Sequence, residues 1–73
     1  MKRKKLSETD IQVVLAFAEN NMRYLEAARQ LYFHPNSIRY HLEQVRRKTG
    51  LDGTQFYDLV ELLNRIRAEG SNE

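Results

Sequence analysis

Glu26-Ala-Ala-Arg-Gln-Leu-Tyr-Phe-His-Pro-Asn-Ser-Ile-Arg-Tyr-His-Leu-Glu-Gln-Val-Arg-Arg-Lys-Thr-Gly50 is the stretch that decides the fold. Leu25, Ala28 and Leu31 recur at helical spacing, and Ala27 and Ala28 offer low bulk where a second helix must cross closely. Tyr32–Phe33–His34 breaks that helix, because Pro35 disfavours the α conformation before it and has no N–H to donate. Pro35 itself suits the first position of a new helix. At about 100° per residue, Ile38, Leu42 and Val45 then share one side. Asn36, Tyr40, Glu43 and Arg47 share the other, flanked by Arg39 and Arg46. Gly50 follows Lys48 and Thr49 as a stop that reaches the left-handed conformation without steric cost. A short helix with small residues, a break, and a proline-opened helix with a cationic outer side form a helix-turn-helix layout.

Working outward, Ser7 and Asp10 are spaced as a capping box for a first helix over about 8–20. In it Ile11, Val14, Leu15 and Ala18 read as the core-facing stripe. Asn20–Asn21 punctuates the turn into a second helix over about 23–31; the third covers about 35–48. Asp52–Gly53–Thr54 offers a turn and cap for a fourth over about 55–68. Nothing alternates with period two, so the expected fold is all-α with four helices. Residues 1–6 are expected as a flexible basic arm, 7–69 as the domain and 70–73 as a frayed tail.

The run His34, Asn36, Ser37, Ile38, Arg39, Tyr40, preceded by Ala27, Ala28 and Leu31 and followed by Leu42, Val45, Thr49, Gly50, Leu51 and Asp52, resembles the C-terminal helix-turn-helix domain of PucR/CdaR-type bacterial transcriptional regulators. The resemblance covers about two-thirds of the chain, from Asn21 to Arg67. His41 stands where that family usually carries Arg, and the family domain is usually the tail of a longer regulator. The Fis-type helix-turn-helix is similar over Ala27–Leu42. Both resemblances imply DNA as the partner and a cytoplasmic setting.

Charge agrees with that reading. The chain has 73 residues and net charge +2, but residues 1–5 carry +4 and residues 34–50 carry +3, against −2 for 6–33 and −3 for 51–73. Positive potential concentrated on an arm and one helix is the distribution phosphate binding needs. Cysteine is absent, which removes disulfide and thiolate chemistry. The basic start is followed by Leu6–Ser7–Glu8–Thr9–Asp10 instead of the apolar run of a signal peptide, and no segment has membrane-spanning length.

The expected DNA-reading residues are Pro35, Asn36, Arg39 and Tyr40 near the start of the third helix, with Asn36 suited to adenine and Arg39 to guanine or phosphate. Ser37, Arg46, Arg47 and Lys48 are expected on the phosphate backbone. Lys4 and Lys5 either reach the backbone or belong to a solvated tail. His34 is read as a capping or turn residue ahead of a phosphate contact, and His41 as a half-buried, hydrogen-bonded residue. The two histidines are seven apart with no third ligand at a useful spacing, so no metal is expected; no cofactor is expected either. No Gly-rich phosphate loop or clustered Asp/Glu/His set points to an enzyme.

At this length only about 60% of the unfolded surface is buried on folding, so a partner subunit would help. Phe56, Leu59, Val60, Leu63 and Ile66, widened by Tyr57 and Leu62, exceed what one neighbouring helix covers. A homodimer through Phe56, Tyr57, Leu59, Leu62, Leu63 and Ile66 is therefore expected, against a monomer in which the first helix covers the stripe. Two function classes stay open: a DNA-binding regulator domain, and a helical protein-interaction module using the apolar face of the fourth helix.

Overall fold

The computed structural model describes residues 6–70, with the side chains of 6–68. Four helices follow in order: α1 (Glu8–Glu19), α2 (Tyr24–Leu31), α3 (Pro35–Thr49) and α4 (Phe56–Gly70). No strand occurs among the described residues. α1 is the central element, packing on α2, α3 and α4, while α2 and α3 pack on each other. The Lys2–Lys5 arm and the last three residues lie outside the described part, whereas Gly70, expected in a frayed tail, belongs to α4.

The capping box at α1 forms as its spacing predicts. The Asp10 N–H donates to Ser7 Oγ at 3.0 Å, and the Ser7 N–H donates back to Asp10 Oδ2 at 3.1 Å. The phase of α1 differs from the expected stripe. Its buried face is Asp10, Val13, Val14, Ala16 and Phe17; Leu15 is 38% exposed, and Ile11 and Ala18 are only half-buried. The rotation brings the larger Phe17 inward together with an acid, at the i, i+3, i+4, i+7 spacing of 10, 13, 14 and 17.

α2 contributes Ala27 and Ala28 to the core, and Leu25, expected inward, is 61% exposed. The two alanines let α1 and α3 approach. α2 ends in a Schellman turn: the Phe33 N–H donates to the Ala28 carbonyl at 2.8 Å and the Tyr32 N–H to that of Arg29 at 3.2 Å. Tyr32 takes the left-handed conformation at φ 60°, where glycine is the usual occupant. α1 closes the same way, with Asn21 at φ 59° and the Met22 N–H on the Phe17 carbonyl at 2.7 Å. Gly50 stops α3 at φ 79°, its N–H on the Arg46 carbonyl.

α3 buries Ile38, Leu42 and Val45 as expected. The link to α4 is an Asx turn in which Asp52 Oδ1 accepts from the Thr54 N–H and hydroxyl. Gly53 is buried there, and a Cβ on it would lie 3.0 Å from Leu42 Cδ2. α4 gives Leu59 and Leu62 to the core. These two were expected in a subunit contact; with 4% and 0% exposure they are used inside the protomer. Phe56, Tyr57 and Val60 remain exposed.

Candidate nucleic-acid interface

The cationic face begins at a cap. His34 precedes α3, and its Nδ1 accepts from the Asn36 N–H at 3.1 Å, so the ring supplies one partner for the unpaired N–H groups of the first turn. Accepting at Nδ1 requires a lone pair there, so the cap belongs to the neutral ring. Pro35, fixed near helical φ, follows at the first helical position. Asn36, Arg39 and Tyr40 are exposed on the outer side of this N-terminal half, with Ser37 and Pro35 half-buried beside them. Asn36, Arg39, Tyr40, Glu43 and Arg47 fall at i, i+3, i+4, i+7 and i+11, one stripe opposite the buried Ile38, Leu42 and Val45.

The opposite side of α3 is held by an acid whose expected role was only its share of the α1 capping box. Asp10 is the buried charged side chain among the described residues, at 1% exposure, and its carboxylate spans two turns of α3. Lys48 Nζ donates to Oδ2 at 2.6 Å, and His41 Nδ1 lies 2.9 Å from Oδ1. His41 is further flanked by Phe33 and, edge-on, by Tyr40, with ring centroids 6.3 and 5.2 Å away. Burial alone would raise the Asp10 carboxyl. The hydrogen bonds from Lys48, His41 and the Ser7 N–H, with the Lys48 charge, outweigh it and hold the carboxyl below its ordinary value. One residue thus caps α1 and fixes the rotation of α3, which decides which side chains face outward.

Lys48, expected on the phosphate backbone, has a side chain only 20% exposed and engaged by Asp10. Arg46 and Arg47 stay exposed but share Glu43. Arg46 approaches both carboxylate oxygens, and Arg47 Nε lies 3.3 Å from Oε2. The hydrogen bond from Arg46, with a smaller one from Arg47, keeps the Glu43 carboxyl below the usual range. Exposed pairs of this kind are screened by solvent, add little to stability and rearrange readily.

Arg39 differs from the other three cations of α3. Its guanidinium carbon sits 4.9 Å above the centre of the Tyr24 ring, a contact the sequence reading did not anticipate. Tyr24 and Arg39 are fifteen apart, and local periodicity carries no signal for such a pair. No metal cradle accompanies these groups: among the described residues no three His, Cys, Asp or Glu side chains gather. No helix among them is long and apolar enough to cross a membrane.

A short helix on small residues, a tight turn and a proline-opened helix with an exposed cationic stripe define a helix-turn-helix domain, a class whose second helix enters the DNA major groove. The family model for the PucR C-terminal helix-turn-helix domain matches residues 11–68, and the chain belongs to that family. No curated protein and no solved structure matches it.

Proposed function

We propose that this domain binds double-stranded DNA as part of a transcriptional regulator, with α3 in the major groove. The observation that carries the reading is the outward stripe of Asn36, Arg39 and Tyr40 at the N-terminal end of a helix whose other side is fixed by core packing and by Asp10. Asn36 and Arg39 have the donor and acceptor geometry for adenine and guanine edges, and Tyr40 the aromatic body and hydroxyl for a sugar–phosphate or thymine methyl. Ser37, Arg46, Arg47 and His34 flank the stripe and take the phosphate contacts that set register. The family of the chain supports the same reading.

Fluorescence anisotropy on a labelled mixed-sequence duplex tests it. Affinity should fall steeply with salt, because displaced counterions accompany each phosphate contact. Arg39→Ala and Tyr40→Ala should each weaken binding by about tenfold on a duplex selected from a randomised pool by the unaltered chain. Unchanged affinity in both variants would contradict the assignment.

The domain acts as a homodimer through the α1–α4 side in this proposal. Exposed Phe56 and Val60 border an open groove of about 340 Å³ that also involves Ala18, Met22 and Leu63, and Tyr57 is exposed on the same helix. Apolar surface of this kind on a small domain favours association, and a two-fold dimer would place two copies of α3 on half-sites about one DNA turn apart. The same exposed groove favours, as a second reading, an interaction module for another helical protein. Light scattering coupled to size exclusion at tens of micromolar separates them: a monomer removes the homodimer.

A further inference from the structure

We propose that Tyr24 is a specificity-determining residue that holds Arg39 ready for base readout, an inference that rests on the DNA-binding function above. Four basic side chains lie on α3. Three are engaged by carboxylates, Lys48 by Asp10 and both Arg46 and Arg47 by Glu43. Arg39 makes no hydrogen bond or ion pair among the described residues; its contact is with the face of an aromatic ring.

That difference is chemical as well as geometric. A guanidinium donates within its own plane, so a carboxylate partner occupies its N–H groups, whereas a ring beneath its face leaves all five free. The contact with the ring face therefore restricts the long side chain while making no hydrogen bond that would occupy the donors a guanine edge pairs with in bidentate fashion. The platform is rigid for a structural reason. Tyr24 is the first residue of α2, half-buried, and its ring packs 5.1 Å from that of Phe17, which is 1% exposed. Core packing thus reaches through one aromatic pair to the α3 arginine whose donors are free. Arg39 prepaid in this way loses less rotamer freedom on binding than a free surface arginine.

The contact makes Tyr24 a positioning residue for recognition and gives it no contact with DNA of its own. Its signature is coupling to Arg39 alone. The test begins with selection of a preferred duplex from a randomised pool by the unaltered chain, followed by anisotropy on that duplex and on a scrambled one. Tyr24→Phe keeps the ring and should bind both duplexes as the unaltered chain does. Tyr24→Leu keeps apolar bulk against Phe17 but loses the ring face, and should lose about three- to fivefold on the selected duplex alone. In an Arg39→Ala background the same leucine should cost nothing further.

Equal losses on both duplexes, or full additivity with Arg39→Ala, would overturn the inference and leave DNA binding intact. Circular dichroism melts of the leucine variant guard against unfolding; should it melt below the assay temperature, anisotropy is repeated where it is folded, and wild-type binding to the selected duplex there would also overturn the inference. Absence of any duplex binding by the unaltered chain would instead remove the function on which the inference stands.

Discussion

Asp10→Asn separates the two tasks this residue performs. An asparagine side-chain oxygen can still accept from the Ser7 N–H, so the reciprocal cap survives in large part, while the ion pair with Lys48 and the carboxylate contact with His41 are lost. Removing one partner of a fully buried pair costs about 3–5 kcal/mol, because the other charge is left buried and unpaired. Here Lys48 and His41 are 20% and 23% exposed and can turn toward water, which reduces the cost to about 2 kcal/mol. Asp10→Ala also removes the reciprocal half of the capping box, leaving the Asp10 N–H on Ser7 Oγ, and should cost about 1 kcal/mol more. Urea unfolding at fixed protein concentration measures both, with the slope m expected to stay constant.

Acid gives an independent check on the same residue. The native carboxyl lies below its ordinary value of 3.8, so between the two values the native state binds fewer protons than the unfolded state. Its stabilisation is therefore complete above about pH 4 and is lost as pH falls through the native value. The gap between the unaltered protein and Asp10→Asn should narrow over that interval as the wild-type carboxyl becomes neutral. A neutral Asp10→Asn at pH 7, or two stability curves running parallel into acid, would refute the reasoning.

Glu43→Gln should release Arg46 and Arg47 and remove a negative charge from the outer side of α3, tightening binding to mixed-sequence duplex about threefold or more at low salt and steepening its salt dependence; an unchanged anisotropy curve would place these arginines away from DNA. Tyr32→Gly relieves a left-handed residue that is 95% exposed and so loses no packing, and should stabilise the domain by about 0.5 kcal/mol after the entropy of glycine in the unfolded chain is counted. A lowered midpoint in urea would show that the Tyr32 ring has a partner in solution. Gly53→Ala sets a Cβ 3.0 Å from Leu42 Cδ2, which must shift by a few tenths of an ångström in a packed core, and should destabilise by about 1 kcal/mol, read in the same melt.

Much of α3 could be read from local sequence because its signals are local. A proline at the first position, three apolar residues at helical spacing and a glycine at the stop all sit within one segment, and each keeps its expected place. The cap at Ser7 and Asp10 is equally short-ranged. The phase of α1 was misread for a physical reason: a wheel that places charge outward favours Ile11, Leu15 and Ala18, whereas the protein turns Asp10 inward because the Lys48 charge and hydrogen bonds to Lys48 and His41 satisfy it there. Those partners lie 38 and 31 residues away, and spacing holds no trace of them. The same distance hid the role of Lys48, which a charge count assigns to phosphate. Leu59 and Leu62 were drawn into a subunit contact because an apolar stripe alone does not reveal that the protomer already covers half of it.

DNA recognition in this domain requires the outer side of α3 to meet the duplex, and a titration of isotope-labelled protein with a duplex, followed by amide chemical shifts, reads that surface directly. Shifts and broadening should concentrate at Asn36, Arg39 and Tyr40 and at the turn around His34, with the exposed α4 residues Phe56, Tyr57 and Val60 unmoved at constant oligomeric state. Perturbation confined to α4, with the α3 stripe silent, would contradict it.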